Sequence, residues 1–318
     1  MKATSPQQSN LVLGSLGIRQ PKGFQGLPSG WVSEWETFAA SSGGLNLFGA
    51  YHHRQLLDRE QRHRLLVILH GMGEHGGRYL HAPHFLQSKV DGVYCVDHRG
   101  HGRSEGIRGH VEKFDELAED GALLVRRLNE QLLKKFGKSE IHLFGHSLGG
   151  HIALRMLFLT PDLPLCSATV SAPFLGIKAR VPTVKKLAAI GLSRVWGSLQ
   201  LDTELDVNTL SHDPEVIDAY LHDRLVHSKM TPRFFTEMLA AMDDTLSRET
   251  GIELPLQMAV PLQDGLVDAE KSLRFFRQLK HRDKQLKTYP TFFHEPVNEI
   301  GKEQVFDDIG SWIEAHSL

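Results

Sequence analysis

The sequence feature that most constrains the fold is the pentapeptide Gly145–Gly149, with the sequence GHSLG. It follows a mostly apolar run, Ile141–Phe144, and opens a stretch typical of a helix, His151–Phe158. A G-x-S-x-G pattern between a strand and a helix is typical of a nucleophile elbow, a sharp turn that lifts a serine hydroxyl off the end of a sheet. Small residues beside the serine let the backbone bend so tightly. The pattern predicts a nucleophilic serine, Ser147.

Strand and helix patterns alternate around this turn, and the length of 318 residues suits one α/β domain with an insertion. Two runs flanking a Ser-Ser-Gly-Gly turn predict a hairpin near the start. Apolar runs of strand length then recur between helical patterns. The predicted strands after the hairpin are Leu65–Leu69, Val93–Val96, Ile141–Phe144, Leu165–Val170, Leu254–Leu262 and Gln285–Tyr289. This alternation predicts a mostly parallel central sheet with helices on both faces.

The alternation stops after Pro173 and resumes after a long helical stretch. We therefore predict a helical cap at 173–230, inserted into a core formed by 31–172 and 231–318. Residues 1–30 are rich in Ser, Gln, Gly and Pro and are predicted to form an N-terminal arm.

An apolar stripe with basic neighbours runs through the first half of the predicted cap. Its members are Val184, Leu187, Ala188, Leu192, Val195, Trp196 and Leu199, and the nearby basic residues are Lys178, Arg180, Lys185, Lys186 and Arg194. Two interpretations stay open. The stripe is either the apolar face of a basic amphipathic helix on a membrane surface, or that of a lid helix packed on the body of the protein.

A serine hydroxyl needs a histidine base, which in turn needs a carboxylate to orient it. On an open α/β sheet the three follow the chain order Ser, Asp or Glu, His, in loops beyond the carboxyl ends of strands. Asp264 lies in the loop after the strand that ends near Leu262. Asp268 directly precedes a helix, where an N-cap role accounts for it. We predict that Asp264 is the acid.

The predicted base is His294, the only histidine in the loop after the final strand. His281 precedes that strand, and His316 lies at the end of the sequence. A solvent-exposed loop histidine is the alternative interpretation. The oxyanion of a tetrahedral intermediate requires backbone N–H donors. We predict these at Leu148, directly after the serine, and at Met72, in a glycine-bearing loop after the Leu65–Leu69 strand.

Four motifs in this order resemble those of the monoacylglycerol lipase and lysophospholipase family of α/β-hydrolases. They are His70–Tyr79, Asp97–Ser104, Gly145–Gly149 and His294–Glu299, within a resemblance that spans roughly residues 31–315. The resemblance implies the α/β-hydrolase fold with a mobile cap at about 173–230. It places the catalytic triad on Ser147, Asp264 and His294, the oxyanion donors on Met72 and Leu148, and the glycerol end of the pocket at Glu74 and Arg78.

The chain departs from the animal monoglyceride enzymes at Val297, where those enzymes have a second histidine three residues after the catalytic one. The His-Glu-x-x-Asn-Glu form here resembles bacterial lysophospholipases instead. The resemblance therefore does not imply a strict preference for monoglycerides.

Three other classes of function have some support in the sequence. Gly71-x-Gly73-x-x-Gly76 followed by Asp97 fits a dinucleotide-binding pattern, but Glu74 would place negative charge where pyrophosphate belongs. The 19 histidines, which include His81-x-x-His84 and His98-x-x-His101, are compatible with metal binding. The alternative is that these histidines lie on the surface or take part in hydrogen-bond networks of loops. A non-catalytic binding protein on the same fold is the third class.

The composition limits the classes of partner that we expect for this protein. Acidic side chains outnumber basic ones by 38 to 36, so the chain has no overall positive charge that would attract nucleic acid. No run approaches the 18 or so apolar residues of a membrane span, and the first 30 residues lack the apolar core of a secretory signal. We expect a cytoplasmic protein, in peripheral contact with a membrane through the cap, and the sequence predicts no oligomeric state.

The resulting hypothesis is a serine hydrolase that cleaves the carboxylic ester of a single-acyl-chain lipid, a monoacylglycerol or lysophospholipid, through an acyl-enzyme. We expect no cofactor and no metal. A general carboxylesterase acting on short soluble esters is the alternative within the same chemistry.

Overall fold

The computed structural model describes residues 20–22, 24–55, 63–179, 181–203 and 205–317. Most of the predicted N-terminal arm lies outside the described residues, as does Arg180 of the predicted cap.

An eight-stranded sheet forms the centre of the described chain, in the order β1-β2-β4-β3-β5-β6-β9-β10. The strands, including a separate two-stranded pair, are β1 Trp31–Ala39, β2 Asn46–Arg54, β3 His63–Leu69, β4 Gly92–Val96, β5 Ser139–His146, β6 Ser167–Ser171, β7 Leu201–Asp202, β8 Lys229–Met230, β9 Leu256–Pro261 and β10 Lys284–Tyr289. β2 pairs antiparallel with β1 and β4, and all other pairs of the large sheet are parallel. The predicted mostly parallel sheet is confirmed.

Helices cover both faces of this sheet, as the alternating pattern predicts. The helices of the described chain are α1 Ala82–Leu86, α2 Asp115–Phe136, α3 Leu148–Leu159, α4 Thr183–Val195, α5 Pro214–His222, α6 Pro232–Ser247, α7 Ala269–Gln278 and α8 Glu303–Ala315. Of these, α4 and α5 lie in the segment predicted as the cap. Buried residues of α2, α3, α6 and α7 form one core with one face of the sheet, and those of α1 and α8 form a second core on the other face. In α2, for example, Leu117, Leu124 and Leu128 recur at helical spacing and are buried.

The carboxyl ends of the parallel strands bring distant loops to one edge of the sheet. Leu69 at the end of β3 is paired with Gly145 of β5, and His146 of β5 is paired with Ser171 of β6. The loops after β9 and β10 leave from the same edge because these strands continue the parallel order. In open α/β sheets this edge is where ligands bind.

The segment predicted as the cap contains α4, α5, a short 3₁₀ helix at Val207–Thr209 and the strands β7 and β8. β7 and β8 form a two-residue antiparallel pair that closes the segment on itself, and the sequence does not predict this pair. Each strand is too short to leave a periodic signal.

Helix α4 exposes large apolar side chains on its outer side. Val184, Leu187, Ile190 and Val195 are 72%, 63%, 44% and 88% exposed, and Trp196 directly after the helix is 60% exposed. The inner side of the helix, including Ala188 and Leu192, lines the cavity described below. The predicted stripe is thus divided between the cavity and the surface. In the part of the chain that the structure describes, no helix is long and apolar enough to cross a bilayer.

Candidate active site

Ser147 occupies a strained turn between β5 and α3. Its φ of 53° and ψ of −114° lie outside the regions that side-chain-bearing residues usually adopt. The backbone around it is fixed: its N–H donates to the Ser171 carbonyl at 2.9 Å, and its own carbonyl accepts from the Phe174 N–H at 2.9 Å. Strain of this kind persists only where the surrounding structure holds it, and it is frequent at functional sites.

The glycines of the pentapeptide are required by close backbone contacts. A Cβ atom on Gly145 would lie 2.3 Å from the carbonyl oxygen of Gly149, and one on Gly149 would lie 2.0 Å from the carbonyl oxygen of Leu69. Both distances are well inside van der Waals contact, so neither position admits a side chain. The tight packing of α3 against β3 and β5 therefore explains why the elbow has this sequence.

The structure brings Ser147, His294 and Asp264 into one hydrogen-bonded chain. His294 Nε2 lies 2.9 Å from Ser147 Oγ, and His294 Nδ1 lies 2.8 Å from Asp264 Oδ2. A carboxylate only accepts, so Nδ1 of His294 is the donor, and in the neutral ring Nε2 is left to accept from the serine hydroxyl. All three side chains are buried, and Ser147 and His294 also line a cavity. This geometry matches that of a Ser-His-Asp triad, in which the histidine can take the proton of the serine.

Asp264 is held as a charged acceptor. Its second oxygen, Oδ1, accepts from the backbone N–H groups of Leu266 and Val267 at 2.8 Å each. Burial raises the pKa of this carboxyl, but His294 and the two N–H groups outweigh burial, so the pKa lies below its usual value. Asp268 instead caps α7, accepting from the N–H groups of Glu270 and Lys271. The structure thus gives the two aspartates different surroundings.

His294 is positioned from both its ring and its backbone. Burial lowers the pKa of the imidazole, but the adjacent Asp264 carboxylate outweighs burial, and the pKa lies above the usual 6.5. The His294 N–H donates to the carbonyl of Thr209 at 3.2 Å, and the next N–H, of Glu295, donates to the carbonyl of Leu210 at 2.8 Å. The loop that carries the base is therefore tied to the segment predicted as the cap.

Met72 and Leu148, the predicted oxyanion donors, both lie in the wall of the cavity beside Ser147. Leu148 is the first residue of α3, and the first N–H groups of a helix have no partner within it. In the loop that carries Met72, the Gly71 N–H donates to a carboxylate oxygen of Glu74, and this hydrogen bond stabilises the loop. Both predicted donors therefore border the same cavity as Ser147.

Glu74 and Arg78, predicted at the alcohol end of the pocket, belong to a buried charge cluster with Glu295. Arg78 pairs with Glu74 and makes a two-pronged contact with Glu295, at 2.7 and 2.8 Å. The Tyr79 hydroxyl donates to Glu74 at 2.7 Å, and the guanidinium lies over the Tyr220 ring at 4.9 Å. Glu74, Glu295 and Tyr220 line the cavity, whereas Arg78 lies behind the two carboxylates.

The cavity has a volume of about 720 Å³, and its wall away from the charge cluster is largely apolar. Apolar lining residues include Phe174, Ile177, Val181, Leu192, Leu205, Leu210, Phe235, Met238 and Leu266. A cavity of this size with a few polar groups at one end is typical of a small-molecule site. Ser147 and His294 line the same cavity.

The other predicted binding patterns have structural roles. Asp97, placed where a ribose-binding carboxylate would stand, is buried and accepts from the N–H groups of Gly76 and Arg103. The first histidine of each H-x-x-H pattern donates to a backbone carbonyl, His81 to that of Val297 and His98 to that of His70. Among the described residues, no group of three His, Cys, Asp or Glu side chains is arranged to hold a metal ion.

Two residues next to Ser147 and His294 have no role that was predicted from the sequence. Glu295 directly follows the base and lines the cavity. His146 directly precedes the serine, its ring centre lies 4.9 Å from that of His294, and burial lowers its pKa to about 3, so it stays neutral. Their positions next to His294 and Ser147 in the chain were the available signal.

Comparisons with known proteins identify relatives of this chain. A family model described as Hydrolase_4, serine aminopeptidase, S33, matches residues 60–301. A monoacylglycerol lipase of Mycolicibacterium smegmatis is 30% identical over 255 residues, which cover 79% of this chain and 88% of that protein. A phospholipase of Bacillus subtilis is 27% identical over 243 residues, covering 76% and 92%. A crystal structure of a Paleococcus ferrophilus monoacylglycerol lipase, 27% identical, superposes with a TM-score of 0.71 and covers 90% of this chain and 99% of that one.

Proposed function

Since this chain belongs to the Hydrolase_4 family of α/β-hydrolases and is a carboxylic ester hydrolase, we propose that it cleaves the ester of lipids with a single acyl chain. The observation that carries the proposal is the chain of hydrogen bonds from Asp264 through His294 to Ser147, beside a cavity that is polar at one end and apolar elsewhere. The names of the relatives, monoacylglycerol lipase and phospholipase, support the same class of substrate.

In the proposed acylation step, Ser147 Oγ attacks the ester carbonyl carbon while His294 Nε2 accepts the hydroxyl proton. Asp264 holds the ring in the required tautomer and stabilises the imidazolium that forms. The carbonyl oxygen becomes an oxyanion, which the N–H groups of Leu148 and Met72 stabilise. The C–O bond to the alcohol then breaks, and His294 returns its proton to the leaving oxygen.

The second half of the proposed reaction releases the fatty acid. Water attacks the acyl-enzyme carbonyl and gives a proton to His294 Nε2. The tetrahedral intermediate collapses, the bond to Ser147 Oγ breaks, and the serine regains its proton from the imidazolium. Every group needed for both steps is a side chain or backbone N–H of this chain, so the proposed mechanism uses no cofactor.

The shape of the cavity favours a substrate with one long acyl chain over a short soluble ester. The acyl chain would lie along the apolar wall beneath α4 and α6, where Leu192, Phe235 and Met238 contribute side chains. The alcohol would lie at the opposite end, against Glu74 and Glu295. Each methylene buried along such a wall contributes about 0.8 kcal/mol to binding.

A matched substrate panel tests this proposal. We expect kcat/KM for 1-monooleoylglycerol or oleoyl-lysophosphatidylcholine to exceed that for p-nitrophenyl acetate by at least about a hundredfold, because the longer chain fills the apolar wall. Initial rates are measured in neutral detergent micelles for the lipids and in buffer for the short ester. A preference for the acetate ester would make the chain a general carboxylesterase.

We further propose that the segment 173–230 acts as a cap that meets a membrane through α4. The exposed apolar side chains of its outer side, together with Lys185, Lys186 and Arg194, match the pattern of a helix that lies in a lipid interface. The inner side of the same helix lines the cavity, so a lipid leaving the interface would pass directly from the outer to the inner side.

Replacing Leu187 with aspartate tests the membrane contact. We expect at least about a tenfold loss in the rate of hydrolysis of monooleoylglycerol presented in phosphatidylglycerol-containing vesicles, because a carboxylate would enter the interface. The rate with a soluble p-nitrophenyl ester should change less than about twofold. Leu133→Asp is the matched control, since Leu133 is a similarly exposed leucine on α2, 45% against 63% for Leu187. Equal losses in both variants would contradict a specific contact through α4.

A further inference from the structure

The alcohol end of the cavity carries more negative than positive charge. Glu74 and Glu295 both line it, and a single guanidinium, Arg78, serves both carboxylates. All three side chains are at most 9% exposed, so solvent screens them weakly. The formal charge of the cluster is therefore −1, in a position where screening is poor.

The guanidinium of Arg78 has little capacity left for another anion. Its Nη1 contacts both Glu74 and Glu295, and its Nη2 contacts the second oxygen of Glu295. Its face lies against the Tyr220 ring. Arginine recognises phosphate by offering two parallel N–H groups, and here the carboxylate of Glu295 already takes them. The carboxylates, rather than the arginine, face the cavity.

We propose that this cluster, through Glu295, selects against substrates whose leaving alcohol carries an anionic phosphate and favours those with a neutral alcohol. The selection rests on the proposed ester hydrolysis and acts on the headgroup rather than on the acyl chain. A phosphate monoester placed on the alcohol side would meet two carboxylates at close range and would lack a free guanidinium. A glycerol hydroxyl, in contrast, can donate to either carboxylate.

Two lysines also line the cavity, Lys185 and Lys229, and both come from the segment predicted as the cap. The ammonium of Lys229 is paired with Asp202 at 2.8 Å, so its charge is already compensated. Lys185 lies on α4, among the side chains that surround the apolar wall. A phosphate bound to Lys185 would lie beneath α4, where the acyl chain is proposed to lie, so the substrate would have to bind in the opposite orientation.

Glu295 is the member of the cluster to vary. Glu74 also holds the Gly71 N–H of the oxyanion loop, and Arg78 holds both carboxylates, so changing either would disturb several contacts at once. Glu295→Gln keeps the shape and an acceptor oxygen for Arg78 but removes one charge. Glu295→Asp keeps the charge on a shorter side chain. A difference between these two variants separates charge from packing.

The experiment compares kcat/KM for 1-monooleoylglycerol and 1-oleoyl-lysophosphatidate, which share an acyl chain, in neutral detergent micelles at about 0.15 M salt. We expect the wild-type enzyme to favour the neutral lipid by at least about a hundredfold, and Glu295→Gln to lower this ratio about tenfold. Glu295→Asp should retain most of the wild-type ratio. The ratio does not depend on the fraction of folded enzyme, so a loss of stability cannot produce the effect.

Glu303→Gln is the charge-matched control, since Glu303 is an exposed residue of α8 and does not line the cavity. A ratio unchanged in Glu295→Gln, or lowered equally in Glu303→Gln, would overturn the inference while leaving the proposed function intact. Equal wild-type rates on the two lipids would do the same. An enzyme that cleaves neither lipid would instead remove the proposed function, and the inference with it.

Discussion

Replacing Ser147 with alanine is expected to lower kcat by a factor of about 10⁴ to 10⁶ on whichever acyl lipid proves the better substrate. No covalent acyl-enzyme can form without Oγ, and His294 Nε2, 2.9 Å away, would then have only water to activate. The residual rate would come from binding and from the oxyanion donors. Initial-rate kinetics and labelling by a fluorophosphonate probe measure the two consequences separately.

Ser171→Ala is the matched control for this substitution. Ser171 is a fully buried serine at the end of the neighbouring strand β6, and within the described residues its hydroxyl has no hydrogen-bond partner. Its backbone carbonyl accepts from the Ser147 N–H, and alanine preserves that hydrogen bond. We expect Ser171→Ala to retain activity within a few-fold and to be labelled by the probe. Labelling of Ser147→Ala at the wild-type rate would contradict the assignment of the nucleophile, because a different side chain would then react with the probe. A wild-type chain that the probe does not label would instead favour a protein that binds its ligand without this chemistry.

The strands and the triad residues were predictable from the sequence because the constraints are local. Gly145 and Gly149 occupy positions where a Cβ atom would collide with backbone, so the elbow can have few other sequences. The parallel order of β5, β9 and β10 then places the loops after them at one edge, which limits the search for an acid and a base to a few residues. Asp264 and His294 follow from that restriction.

Several contacts of the site were not predictable from the sequence, because they join segments far apart in the chain. Arg78 and Glu295 are separated by 217 positions and have no pattern in common, yet they form one ion pair. The contact of the Thr209 carbonyl with the His294 N–H depends on how the segment after α4 folds over the sheet. The division of the α4 stripe between cavity and surface is likewise set by the placement of the helix, and the amphipathic pattern is the same in either case.

Replacing Asp264 with asparagine is expected to lower kcat by about 10⁴-fold and to move the acid limb of the pH profile. An asparagine amide can donate to His294 Nδ1, which would place the proton on Nε2, where the neutral ring cannot accept from Ser147. The pKa of His294 lies above 6.5 because of Asp264, so wild-type kcat/KM should fall as the pH drops through a value above 6.5. In Asp264→Asn the residual activity should persist to lower pH, because the carboxylate that raises this pKa is gone.

Asp268→Asn provides the control for the choice between the two aspartates. Asp268 accepts only from the first N–H groups of α7, and asparagine caps a helix about as well as aspartate does. We therefore expect this variant to keep near-wild-type kcat and an unchanged pH profile, which full pH–rate curves of both variants would show. If Asp268→Asn abolished turnover while Asp264→Asn retained it, the 2.8 Å contact between Asp264 and His294 would not be the one that orients the base. The acid would then have to be sought at the start of α7.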